Sequence, residues 1–337
     1  MSRRTLRDPR LWLLMLALCL LLATLAAPHV ARIGTSYRVL VIADVTGSMN
    51  TRDYALDGKP ESRLDAVRRV MRQAIAALPC PSTVGLGIFT ERRAFLLFDP
   101  VDVCENFAPV NAALAALDWR MAWEGDSHIA EGLYSAINLA RDLDSDLAFL
   151  TDGQEAPPLS WSGGPAFEGK PGAVKGLIVG VGGYSLSPIP KLDDAGREIG
   201  FYGPDDVAQD NRFGLPPPDA STREGYNPRN APFGGVKAVG NEHLSSVREA
   251  YLKELGAKTG LAYTHLVDAA GLVDALSATA TPHPTPSTLD LRPVLAAFAL
   301  AALVAVYGFA PLFERGVRRR KTRRQIDSKE PHWRVAA

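Results

Sequence analysis

Residues 39–43 and 147–150 are apolar at every consecutive position, so a strand built from either has no polar face to turn toward water. Such strands must be covered on both sides, which is the condition of a mostly parallel sheet wrapped by helices. The sequence around them has the matching periodicity. Ser62 and Asp65 have capping-box spacing, with Asp in place of the usual Glu, and open a helix whose apolar stripe is Leu64, Val67, Met71, Ala74, Ile75 and Leu78. A second helix is predicted from Ile129 to about Leu143, with Leu133, Ala136, Ile137 and Ala140 on its inner face. Further strands are expected at 146–151 and 176–181, then a helix over about 244–255 and a strand at 261–265. Residues 83–89 and 94–98, joined by the polar turn Glu91-Arg92-Arg93, read as an antiparallel hairpin at the sheet edge. Strands alternating with helices give an α/β fold.

Each of the two apolar runs ends in a carboxylate. Asp44-Val45-Thr46-Gly47-Ser48 leaves the first strand and Thr151-Asp152-Gly153 leaves the second, while Ser127 stands in Gly125-Asp126-Ser127-His128, just before the second helix. Open α/β sheets place ligands at the carboxyl ends of their strands, and hard oxygen donors of this kind suit Mg²⁺. Taken singly, such a loop is also ordinary turn and cap chemistry. Taken together and in order, Asp44, Thr46, Ser48, Ser127 and Asp152 resemble the metal-ion-dependent adhesion site of the von Willebrand factor A (vWA) domain. That site runs Asp-x-Ser-x-Ser, then Thr, then Asp. Thr46 replaces a Ser and Ser127 a Thr, so each departure keeps its hydroxyl. The resemblance implies a Rossmann-like vWA domain over residues 35–280 that holds Mg²⁺, or Mn²⁺ or Ca²⁺ in its place, with an open position for an Asp or Glu of a partner protein. Glu155 and His128 flank the site and read as surface solvation and loop hydrogen bonding.

The ends of the chain suggest membrane attachment. Residues 11–27 form an apolar run preceded by a basic segment at 1–10 with Arg3, Arg4, Arg7 and Arg10, and reading as an uncleaved anchor or as a signal segment cut near Ala27. A Pro-rich stretch at 281–292 reads as a stalk, residues 293–313 as a second span, and 314–337 as a basic tail. By the positive-inside rule this places the protein in a bacterial inner membrane, with the domain periplasmic and both termini cytoplasmic. The balance of 37 basic against 37 acidic side chains argues against nucleic acid as a partner. Cys80 and Cys104 flank the predicted hairpin near its open end. They either form a disulfide, as export would favour, or are two buried thiols. Cys19, within the first apolar run, reads as a buried thiol.

Residues 183–240 interrupt the pattern with Pro, Gly and Asp, and a loop of this length in a compact domain is usually functional or disordered. Its aromatics, Tyr184, Phe201, Tyr202, Phe213, Tyr226 and Phe233, argue for ordering against another surface or against the domain itself. The segments at 44–54, 117–125 and 151–158 resemble the vWA accessory proteins encoded beside bacterial methanol dehydrogenases. That resemblance implies an assembly or maturation scaffold for a periplasmic quinoprotein dehydrogenase, with sister vWA proteins as further partners. The membrane-spanning vWA proteins of the Bacteroides aerotolerance type, which work with AAA+ ATPases, share the layout less specifically. A calcium carrier for the client is an alternative. A metal-dependent hydrolase is a weaker one, because the sequence has neither a Gly-rich phosphate loop nor a nucleophile-base-orienter set. The protein is therefore expected not to be an enzyme.

Overall fold

The computed structural model describes residues 9–26, 29–123, 125–159, 163–193, 195–207, 219, 222 and 240–309. The central element is a six-stranded sheet of β1 (Arg38–Asp44), β2 (Thr83–Thr90), β3 (Arg93–Asp102), β4 (Asp146–Thr151), β5 (Gly176–Gly180) and β6 (Ala262–His265). Its spatial order is β6-β5-β4-β1-β2-β3. All neighbours are parallel except β3, which returns antiparallel along β2 as the edge. The predicted hairpin is therefore present, and its second strand runs on through Pro100. Proline is tolerated there because an edge strand has one row of amides without a ladder partner.

Alternation along β1 divides the core in two. Val39, Val41 and Ala43 pack under α2 (Arg63–Ala77), α3 (Phe107–Ala115) and α6 (Ala269–Thr279), whereas Leu40 and Ile42 pack under α4 (Ile129–Asp142) and α5 (Glu249–Thr259). Ser62 caps α2 as expected, its hydroxyl accepting from the Asp65 amide. The helix predicted from 244 starts five residues late. Leu244 and Ser245 are instead extended and pair with Ser187–Pro188, and α5 begins at Glu249. Helices α3 and α6 were not anticipated. On the α4 face the sheet is approached very closely at Gly132, where a Cβ would overlap the Phe89 ring.

Cys80 and Cys104 form a disulfide, with Cα atoms 5.9 Å apart, across the open end of the β2–β3 hairpin. This end is opposite to the edge that carries Asp44.

The chain divides into two compact units, residues 34–285 and a smaller unit of 1–33 with 286–337. In the smaller one, α1 (Pro9–Leu25) packs against α7 (Arg292–Val304), burying Ala17, Ala299 and Ala302. The transmembrane helices expected to flank the domain are not supported. Helix α1 has 17 residues and α7 only 13 before the chain passes into a π-helical turn at Ala305–Phe309. At about 1.5 Å per residue, 17 residues reach roughly 25 Å, short of the ~30 Å hydrocarbon core. Among the described residues no helix is long and apolar enough to cross a membrane. The inner-membrane placement, with a periplasmic domain and two cytoplasmic termini, rested on those spans and is withdrawn with them. The basic flanks at Arg3, Arg4 and Arg7 and at 314–337 lie outside the described residues, as do Ala27, Phe213, Tyr226 and Phe233. Within the Pro-rich segment, His283–Asp290 forms a strand paired with His29–Ser36.

Two stability predictions follow from this packing. Gly132→Ala, normally favourable in a helix, should destabilise by about 1–3 kcal/mol because the added methyl overpacks Phe89; the check is the midpoint of urea unfolding. Cys80→Ser opens a loop closed by residues 24 apart. It should cost about 3 kcal/mol on the chain-entropy account, and non-reducing peptide mapping should recover the cross-linked pair only from wild type.

Candidate metal centre

Register places the site. Asp44 pairs with Phe89 on β2, and Ala43 pairs with Leu150 on β4, so the loops after β1 and β4 leave the sheet side by side. Asp44 is fully buried and its carboxylate is held from two directions. Its Oδ1 accepts from the Thr46 amide at 2.9 Å and the Thr46 hydroxyl at 2.7 Å, while its Oδ2 accepts from the Thr151 hydroxyl at 2.7 Å. The first two contacts form an Asx-type turn that starts the 3₁₀ segment Gly47–Asn50, on which Ser48 is buried. Thr151 in turn accepts from the Gly153 amide.

Ser127 arrives from a different part of the chain. Its amide donates to the Ala156 carbonyl and its carbonyl accepts from the Ala156 amide, and the His128 amide donates to the Glu91 carbonyl. These bonds hold the loop between the turn after β2 and the loop after β4. The Ser127 hydroxyl itself is buried and has no hydrogen-bond partner among the described residues. Thr90, the last residue of β2, has a buried hydroxyl in the same condition.

Glu155 does not serve as surface solvation. It is buried, accepts from the Ile129 and Ala130 amides at 3.0 Å each, and takes a short hydrogen bond from the Tyr251 hydroxyl. It thus caps α4, whose own N-cap residue, His128, makes no side-chain cap. Burial raises the Glu155 pKa, opposed by the Tyr251 bond and the two amides.

Asp152 is also fully buried. Its Oδ1 accepts from the Gln154 amide at 3.0 Å, and its Oδ2 accepts from Ser245 Oγ at 3.1 Å and from Arg63 Nη1 at 2.6 Å. Arg63 was not anticipated at all. It is the first residue of α2, fully buried, and its Nε and Nη2 engage Asp53. Burial opposes its charge, yet Asp152 and Asp53 raise its pKa overall.

The donors fit a hard cation. Burial first, and the neighbouring Asp152 second, push the Asp44 pKa up to about 7. A positive ion beside these carboxylates offsets that cost, and the partnerless Ser127 hydroxyl is a donor in need of an electrophile, since an unmet buried hydroxyl costs about 1–3 kcal/mol. Among the described residues no three His, Cys, Asp or Glu side chains gather as a metal cluster. Any site here is therefore dominated by hydroxyls, with Asp44 and Asp152 as its carboxylates.

Residues 39–154 match the von Willebrand factor type A domain, a stretch that contains Asp44, Thr46, Ser48, Ser127 and Asp152. This part of the chain is a vWA domain. The match covers less than half of the 337 residues. Among solved structures, the chain is similar to an aerotolerance-related membrane protein from Bacteroides fragilis, at 15% identity, covering 72% of this chain and 98% of that one, with a TM-score of 0.43. It is similar to BatB from Bacteroides thetaiotaomicron, at 16% identity, with the same coverage of 72% and 98% and a TM-score of 0.45. A von Willebrand factor type A protein from Catenulispora acidiphila is 13% identical over 81% of this chain and 46% of that one, with a TM-score of 0.37. No curated protein matches the chain.

The Asp44 shift has a sign that can be measured on the vWA domain. Because its folded pKa of about 7 lies above the ordinary value of 3.8 for an aspartate in water, the folded state binds the extra proton between those values. This contribution is therefore fully present at low pH and is lost as pH rises from about 4 to about 7. Urea unfolding in EDTA should show stability falling across that window in wild type, with a flatter profile in Asp44→Asn.

Proposed function

We propose that the vWA domain is a metal-dependent binding module. Asp44, Thr46, Ser48, Ser127 and Asp152 would hold Mg²⁺, with Mn²⁺ or Ca²⁺ as substitutes, and the role is recognition of a client protein. The observation that carries this reading is the buried, partnerless Ser127 hydroxyl in a loop pinned by backbone bonds to Ala156, in the loop that follows Asp152, and to Glu91 after β2. When bound, the cation supplies a Lewis-acidic position that a partner's Asp or Glu can occupy. The chain's own residues do the rest. Thr46 and Thr151 fix both oxygens of Asp44, the pairing of Ser127 with Ala156 sets the height of its loop, and Glu155 ties that loop to the start of α4.

The domain is read as a scaffold, not an enzyme. Its donor set is mostly neutral, and both carboxylates already accept several hydrogen bonds, which suits steady positioning more than proton transfer. The resemblance of segments 44–54, 117–125 and 151–158 to accessory proteins of methanol dehydrogenase clusters supports a quinoprotein dehydrogenase as the client for assembly or maturation.

Asp44→Ala tests the module. Losing a charge contact at an effective dielectric of about 20 should weaken Mn²⁺ binding by more than about a hundredfold. Isothermal titration should show this, together with loss of EDTA-sensitive capture of the apo-dehydrogenase and an unchanged far-UV circular dichroism spectrum. Intact metal binding in a folded Asp44→Ala protein defeats the reading. Ser127→Ala, which removes one neutral donor that water can replace in part, should have the smaller effect.

A further inference from the structure

We propose that Arg63 is a positioning residue that holds Asp152 back from the metal and thereby sets the affinity and selectivity of the site; the inference rests on the metal-centre reading above. A guanidinium this completely buried is rarely found unless it is paired. Here its fork is fully used. Nε and Nη2 bind Asp53, with Nη2 at 2.7 Å from Oδ2, and Nη1 lies 2.6 Å from Asp152 Oδ2 and 2.6 Å from Ser245 Oγ, with the Ser48 carbonyl at 3.5 Å.

Space is reserved for it. Gly182 has a φ of +117°, and a Cβ there would stand 2.6 Å from Arg63 Nε and 2.7 Å from Cζ. The next amide, of Gly183, donates to Asp53 Oδ2 at 2.7 Å, so the turn after β5 both makes room for the arginine and orients its counter-ion.

The consequence lies in the charge available to a cation. Asp152 has donors on both oxygens, one of them carrying a full positive charge, whereas Asp44 accepts only from neutral groups. Asp44 is then the one carboxylate in the set with no cationic partner, while Asp152, committed to the guanidinium that it shares with Asp53, acts from outside the direct ligand sphere. A centre with one free carboxylate holds its ion weakly and favours Mg²⁺ or Mn²⁺, which keep several waters, over Ca²⁺, which takes more protein oxygens and often both oxygens of a carboxylate. Arg63 also links the centre to the far end of the 183–240 segment. Ser245 belongs to the short strand paired with Ser187–Pro188, and Gln154, two residues after Asp152, donates its side-chain amide to the carbonyls of Glu242 and Leu244.

The experiment is Mn²⁺ titration of the full chain followed by electron paramagnetic resonance, with Ca²⁺ and Mg²⁺ competition, in wild type, Arg63→Met, Arg63→Lys and the double variant Arg63→Met with Asp152→Asn. Freed of its guanidinium, Asp152 should ligate directly. Arg63→Met should then bind Mn²⁺ about tenfold tighter and shift competition toward Ca²⁺. Arg63→Lys, which keeps the charge, should stay near wild type, and the double variant should lose the gain. A folded Arg63→Met with unchanged or weaker affinity overturns the inference while leaving the metal centre standing. Absence of Mn²⁺ binding in wild type overturns both. If Arg63→Met does not fold, Ser245→Ala decides, because it strips one donor from Asp152 and should raise Mn²⁺ affinity about threefold; equal or lower affinity overturns the proposal.

Discussion

Two carboxylates buried at the ends of adjacent strands are the constraint around which this domain is arranged. Removing an anion from water is expensive, and placing a second one nearby adds repulsion in a medium that screens poorly. Asp44 and Asp152 offset that cost by different means. Asp44 relies on neutral donors, Thr46 and Thr151, and remains difficult to ionise. Asp152 relies on the guanidinium of Arg63, which itself needs Asp53, Gly182 and Gly183 to be accommodated. Much of the loop structure at this edge of the sheet follows from the two solutions.

Legibility in the sequence tracks the range of the interaction. Strands β1 and β4 are plain because burial on both faces leaves a local mark, an unbroken apolar run. Asp44, Thr46 and Ser48 stand out because their spacing is itself the turn. Arg63 leaves no such mark: an arginine after a capping serine looks the same whether it faces water or the core, and only the glycine turn at 182, more than a hundred residues away, makes its burial feasible. The role of Glu155 is hidden for a related reason, since the helix end that it caps belongs to another segment.

Other elements are hidden in the sequence for equally physical reasons. Helices α3 and α6 are Ala-rich, Phe-Ala-Pro-Val-Asn-Ala-Ala-Leu-Ala and Ala-Ala-Gly-Leu-Val-Asp-Ala-Leu-Ser-Ala-Thr, so their apolar stripes are weak against a background that is apolar almost all round. The start of α5 lies later than its apolar pattern because Leu244 and Ser245 pair with Ser187–Pro188, a pairing invisible without the fold. Hydropathy at the two ends marked apolar sequence correctly but fixed neither helix length nor helix type, and both decide whether a segment can cross a bilayer.

The borrowed cap of α4 ties a helix to the site. Most helices carry their own N-terminal cap, so a neighbouring loop can move without disturbing them. Here the first amides of α4 are closed by Glu155, which lies three residues from Asp152, while Ser127 sits two residues before the helix. The closure of the first turn of α4 is thus supplied by the same loop that carries Asp152, and the fourteen residues of that helix are anchored at one end to the rim of the sheet.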